Sequence, residues 1–149
     1  MDNQIDRRTL ARQLTMQALY QLDVQGPDFE NQLDIFIHDF AEDDLVKKLA
    51  RQWSHGAWDN ITECDELITA AALKWDMSRL SPVDKAILRL AAYQMKFCTD
   101  IPKKVVINEA IEIAKTFSGE QSPRFVNGVL DAILRNINQN DEKPAKANT

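Results

Sequence analysis

Arg7, Arg8 and Arg12 stand close together near the start of the chain, and Arg124 is followed directly by Phe125. Guanidinium groups at the start of a helix can meet phosphate oxygens through paired N–H donors. An aromatic ring beside a cation at a helix start can stack a splayed base while backbone amides hold a phosphate. Both groups point to RNA, and Lys103, Lys104 and Arg89 add positive charge to the C-terminal half. On spacing alone the plainer readings lead: three arginines on a helix are usually a solvated face, and Phe125 packs against the start of its own helix.

Catalytic chemistry finds less support. The chain has no glycine-rich phosphate loop, no nucleophile elbow, and no histidine beside a nucleophile and an orienting carboxylate. His55 reads as an ordinary surface or interface histidine, and Glu109 with Glu112 as solvated or cap-bonding carboxylates. Trp53, Trp58 and Trp75 are large enough to dominate a small core and read as packing residues. Two histidines and two distant cysteines, Cys64 and Cys98, do not make a metal site of usual spacing. The expectation is a protein with no catalytic residues, metal or cofactor, its cysteines free thiols in a reducing compartment.

Charge is unevenly spread. The net charge is −5, but residues 28–66 hold eleven acidic against three basic side chains, whereas residues 67–149 hold twelve basic against nine acidic. A local basic face can still neutralise phosphates in an acidic protein, with binding that weakens as salt rises. The polar start of the chain and the lack of an apolar run of bilayer length predict neither a signal peptide nor a membrane span, hence a cytoplasmic protein.

These groups need a scaffold, and the periodicity supplies a helical one. With 149 residues and only four glycines and five prolines, the chain reads as one all-α domain over residues 1–138, with a disordered polar tail at 139–149. A first helix over 7–24 turns Ala11, Leu14, Ala18 and Leu22 inward and leaves Arg8 and Arg12 outside that stripe. Asp28 can cap a second helix that buries Phe29, Leu33, Phe36, Ile37 and Phe40. From Asp43 to about Trp75 runs one long helix or two in succession, with Gly56 the expected kink or break. Ser81-Pro82-Val83-Asp84 is a strong start signal: hydroxyl at the N-cap, proline at the first helical position, carboxylate near the positive end of the dipole. Asp100-Ile101-Pro102 and Ser122-Pro123 start two further helices, and Lys85, Arg89 and Lys96 lie outside the apolar stripe of the helix that Ser81 starts.

Four ordered segments carry a family resemblance: Arg12 with Gln17-Ala18-Leu19-Tyr20, then Asp84 to Tyr93, then Ile107 to Lys115, and finally Phe125 to Asp131. Together they resemble the NusB family of bacterial transcription antitermination factors, over about Arg8 to Asn138. The resemblance implies about seven helices in two small packed bundles and a non-enzymatic role. It implies binding to the boxA element of nascent ribosomal RNA together with NusE, a small-subunit ribosomal protein, within the RNA polymerase antitermination complex. It assigns Arg7, Arg8, Arg12, Gln17, Arg89, Ser122, Arg124 and Phe125 to the RNA and Tyr20 and Asp84 to the NusE surface. A carboxylate such as Asp84 suits a basic partner, since exposed charges guide encounter.

Two departures stand out. Thr9 and Leu10 interrupt the denser arginine cluster of the family, so fewer phosphates are neutralised and dependence on NusE should be stronger. Gln94 replaces the family's usual Glu after the tyrosine, where a neutral amide keeps hydrogen bonds without a buried charge. Two other functions remain: the resemblance also implies an RNA-binding domain serving a separate ribosomal RNA methyltransferase, and the net charge of −5 with the acidic 28–66 segment suits a helical protein-interaction module without RNA. The free protein could also be a homodimer.

Overall fold

Start signals and apolar periodicity resolve into seven α-helices in the computed structural model, which describes residues 6–73 and 76–142. They are α1 (Arg7–Gln25), α2 (Leu33–Phe40), α3 (Asp44–Asp59), α4 (Ile61–Ala71), α5 (Pro82–Phe97), α6 (Lys103–Phe117) and α7 (Ser122–Glu142). Tight 3-10 turns at Pro27–Gln32 and Met77–Arg79 complete the architecture, and no strand occurs among the described residues. No helix among them is long and apolar enough to cross a membrane.

The helices form two groups that share α5. α1, α2 and α3 pack on one another, with α1 and α3 also against α5, while α4, α6 and α7 close around the rest of it. Enclosed this way, α5 buries every residue from Ala86 to Met95. Its start is as the sequence indicates: the Asp84 N–H donates to the Ser81 hydroxyl at 3.1 Å, and Pro82 opens the helix. Enclosure also explains why Arg89 and Gln94 are buried, contrary to the expectation that Arg89 lies outside the stripe. Arg12, expected outside the stripe of α1, is likewise only 4% exposed.

Other expectations change with physical cause. Asp28 caps nothing: Pro27–Gln32 forms a 3-10 turn without a side-chain cap, and α2 begins only at Leu33. Phe29, Leu33 and Ile37 are buried, but Phe40 at the end of α2 overhangs the core and is 68% exposed. The break between α3 and α4 falls at Asn60, not at Gly56. Both the backbone N–H and the side-chain amide of Asn60 donate to the Gly56 carbonyl, at 3.1 and 2.8 Å, and so close the helix end. Gly56 has a packing role instead, since a Cβ there would occupy the space of the Tyr93 ring. Pro102, with no side-chain cap, stands at the N-cap of α6 where a capped start was expected.

α7 continues to Glu142, past the Asn138 at which composition ended it. An established helix propagates through polar residues such as those from Gln139 onward. The rest of the expected tail, residues 143–149, lies outside the described residues, as does Trp75. Cys64 is fully buried and its thiol is pushed up to about 12 by desolvation, with the neighbouring Asp65 adding to the shift. It is a packing residue, and both cysteines are free thiols.

Candidate nucleic-acid interface

The basic start of α1 is two different environments. Arg7 and Arg8 are exposed, and the 3.6 Å pair of Arg7 with Asp43 is open to solvent and adds little. One turn on, the Arg12 guanidinium is sequestered. Its Nε donates to Gln94 Oε1 at 3.3 Å, its Nη1 to Glu109 Oε1 at 3.3 Å, and its central carbon lies 5.2 Å from the Trp53 ring centroid. Thr9 Oγ1 donates to the same Glu109 oxygen at 2.6 Å. Desolvation lowers the pKa of Arg12, with Glu109 working in the opposite direction. Arg12 therefore ties α1 to α3, α5 and α6. Glu109, read from sequence as a solvated or cap-bonding carboxylate, is the acceptor that binds Thr9 and Arg12.

Arg8, Arg12, Trp53, Asp100, Pro102 and Val105 are among the residues lining a cleft of about 370 Å³. This brings the start of α6 beside the start of α1. The first turn of α6 carries no acidic residue and no side-chain cap, and it opens with Lys103 and Lys104. Unsatisfied amides and the dipole at such an end favour an anion. α1 differs, because Asp6 already caps it with a 2.7 Å bond to the Arg8 N–H.

Arg124 and Phe125 lie in the first turn of α7, beyond the opposite end of α5. Asp84 and Gln94, which mark the two ends, are separated along α5 by about 15 Å at the rise of an α-helix. Here a groove of about 970 Å³ is lined by residues of α4, α5, α7 and the α4–α5 connection, including Ala72, Leu80, Asp84, Ser122, Arg124 and Phe125. Arg124 is exposed, whereas Phe125 is half-buried and packs against the core. Asp84 accepts hydrogen bonds from Ser118 and Ser122, at 2.7 and 3.0 Å. The sequence divided Asp84 from Ser122, Arg124 and Phe125 by role, but all four border one groove.

Arg89 is engaged elsewhere. Its Nε and Nη2 form a fork on the two oxygens of Asp65 at 2.8 and 2.9 Å, and Nη1 reaches Asp23 at 3.1 Å. Desolvation pulls its pKa down, and the bonds to Asp65 and Asp23 more than offset this, leaving it raised. Its charge is spent on joining α5 to α4 and α1. Gln17 and Tyr20 are half-buried on α1, Tyr20 against the core.

The groups considered for catalysis are dispersed. His55 bonds Asp34 at 2.7 Å on the surface of α3, Glu112 pairs with Lys115, and the Trp58 indole donates to Glu30. Among the described residues no three His, Cys, Asp or Glu side chains converge as metal ligands.

Residues 9–135 match the model of the NusB family. A transcription antitermination protein NusB of Bacillus cereus is 43% identical over 132 residues, covering 85% of this chain and 96% of the relative. The solved structure of NusB from T. maritima is 37% identical, with a TM-score of 0.73, and the match covers 89% of this chain and 92% of that one. A crystal structure of the antitermination factors NusB and NusE with double-stranded RNA aligns with a TM-score of 0.79, covering 89% of this chain and 99% of its own. At 23% identity it supports the fold alone.

Proposed function

Because this chain belongs to the NusB family, its match running over residues 9–135, we propose that it acts as a transcription antitermination factor that binds boxA-type RNA. In this reading the RNA is the nascent ribosomal transcript, and the protein binds it together with NusE as part of an RNA polymerase antitermination complex in the cytoplasm. Its role is binding, not catalysis. The observation that carries the reading is the convergence of exposed Arg8 with the uncapped start of α6 at one cleft. Two basic residues there, Lys103 and Lys104, sit at amides that have no side-chain acceptor.

The second contact region is the first turn of α7, where Arg124 supplies charge and Phe125 an aromatic edge at the rim of the groove. A strand bound at both regions would have to span at least the roughly 15 Å between the two ends of α5. Arg12 and Arg89 serve it as framework, and the phosphates fall to Arg7, Arg8, Lys103, Lys104 and Arg124.

Replacing Arg7 and Arg8 together by alanine should make log K for RNA less steep against log salt, by about 0.7 for each single-strand phosphate that is no longer neutralised. Both side chains are exposed, so the melting temperature should stay close to the parent value. A slope equal to that of the parent protein would remove these arginines from the interface.

A further inference from the structure

The α6–α7 connection is held by one carboxylate. Ser118 closes α6, its N–H donating to the Ala114 carbonyl at 3.0 Å, and Ser122 is the first residue of α7, its N–H donating to the Gly119 carbonyl at 3.0 Å. The hydroxyls of these two serines lie 2.8 Å apart. Both hydroxyls also lie within hydrogen-bond reach of Asp84, Ser118 donating to Oδ1 at 2.7 Å and Ser122 to Oδ2 at 3.0 Å, so the carboxylate and the two serines form one cluster. Asp84 is itself fixed by the Ser81 cap at the start of α5. The carboxylate thus locks both ends of a short turn to the central helix, with Ser122 only 8% exposed. Two residues further on is Arg124, and the N–H of Phe125 is bonded to the Gln121 carbonyl inside the same turn at 3.2 Å.

We propose that Asp84 is a positioning residue for RNA, which through Ser118 and Ser122 sets the first turn of α7 and so the placement of Arg124 and Phe125 on the groove. The inference rests on the RNA-binding reading above and adds to the role in partner contact that the sequence suggests. It makes a prediction of unusual sign. Removing a carboxylate from beside a polyanion ordinarily strengthens binding, because a like charge is gone. If Asp84 acts by holding α7, its removal weakens RNA binding although the protein becomes less acidic.

The test compares the parent protein with Asp84→Ala, Ser118→Ala and Ser118→Thr, titrating boxA-type RNA at low salt without NusE. Asp84→Ala and Ser118→Ala should each lower RNA affinity by about three- to tenfold, the range set by losing one or two net hydrogen bonds. Ser118→Thr, which keeps the hydroxyl, should restore it. If Asp84→Ala fails to fold, Ser118→Ala decides alone, since it leaves the carboxylate in place. Equal or tighter RNA binding by Asp84→Ala, or parental affinity in Ser118→Ala, would overturn the proposal while leaving RNA binding itself intact. Failure of the parent protein to bind RNA would overturn the RNA-binding reading and this inference with it.

Discussion

Arg12→Ala should cost about 3 kcal/mol of folding stability, while the salt slope of RNA binding stays at the parental value. Removing one partner of a buried ion pair typically costs about 3 to 5 kcal/mol, because the other charge is left in a poor environment. Here the low end applies. Glu109 keeps its bond from Thr9 and its side chain is 24% exposed, so its carboxylate is not fully stranded. To this are added the missing bond to Gln94 and the space vacated above Trp53. A phosphate-contacting arginine would behave in the opposite way, with little change in stability and a slope reduced by about 0.7. Denaturant titration together with RNA titration at several salt concentrations separates the two. A stable Arg12→Ala protein with a shallower slope would restore Arg12 to the RNA.

Arg89→Ala is expected to be at least as damaging, at about 3 to 5 kcal/mol. Its fork satisfies both oxygens of Asp65, whose side chain has no other cation within ion-pair distance among the described residues. Asp23 fares better, because Lys85 stands 3.6 Å from it and remains after the substitution. Arg89→Lys should recover only part of the stability, since an ammonium group cannot form the planar fork. Equilibrium unfolding of the two variants checks this. A change below about 0.5 kcal/mol in Arg89→Ala would place it among ordinary surface substitutions and contradict the assignment.

The two arginines mark where reading from sequence reaches its limit. Start signals such as Ser81-Pro82-Val83-Asp84 are local, with donor and acceptor three residues apart, and the structure shows that cap as read. Apolar stripes are local too, so α1 presents Ala11, Leu14, Ala18 and Leu22 to the core as expected. The burial of Arg12 depends instead on Glu109 and Gln94, 97 and 82 positions away, and no periodicity within α1 reports them. Arg89 depends in the same way on Asp65 and Asp23, which belong to other helices. A guanidinium at the edge of a stripe looks solvated until its partners are placed beside it.

Gly56 shows the same limit in another form. A glycine inside a helical pattern suggests a break, whereas its actual neighbour, Tyr93, comes from a different helix. The candidate interface was legible as residue types: arginines near the start, lysines at the start of α6, and a cation–aromatic pair at α7. Their division into exposed contacts and buried framework was not, nor was the placement of Asp84 on the same groove as Phe125.

The central claim is that this protein binds boxA-type RNA through an exposed basic face and does so more tightly with NusE. The most direct test is titration of that RNA into the purified protein, with and without NusE, over a series of salt concentrations. The expected result is weak binding by the protein alone at low salt, tighter binding once NusE is present, and log affinity falling linearly with log salt in both cases. No RNA binding in either setting at low salt would contradict it.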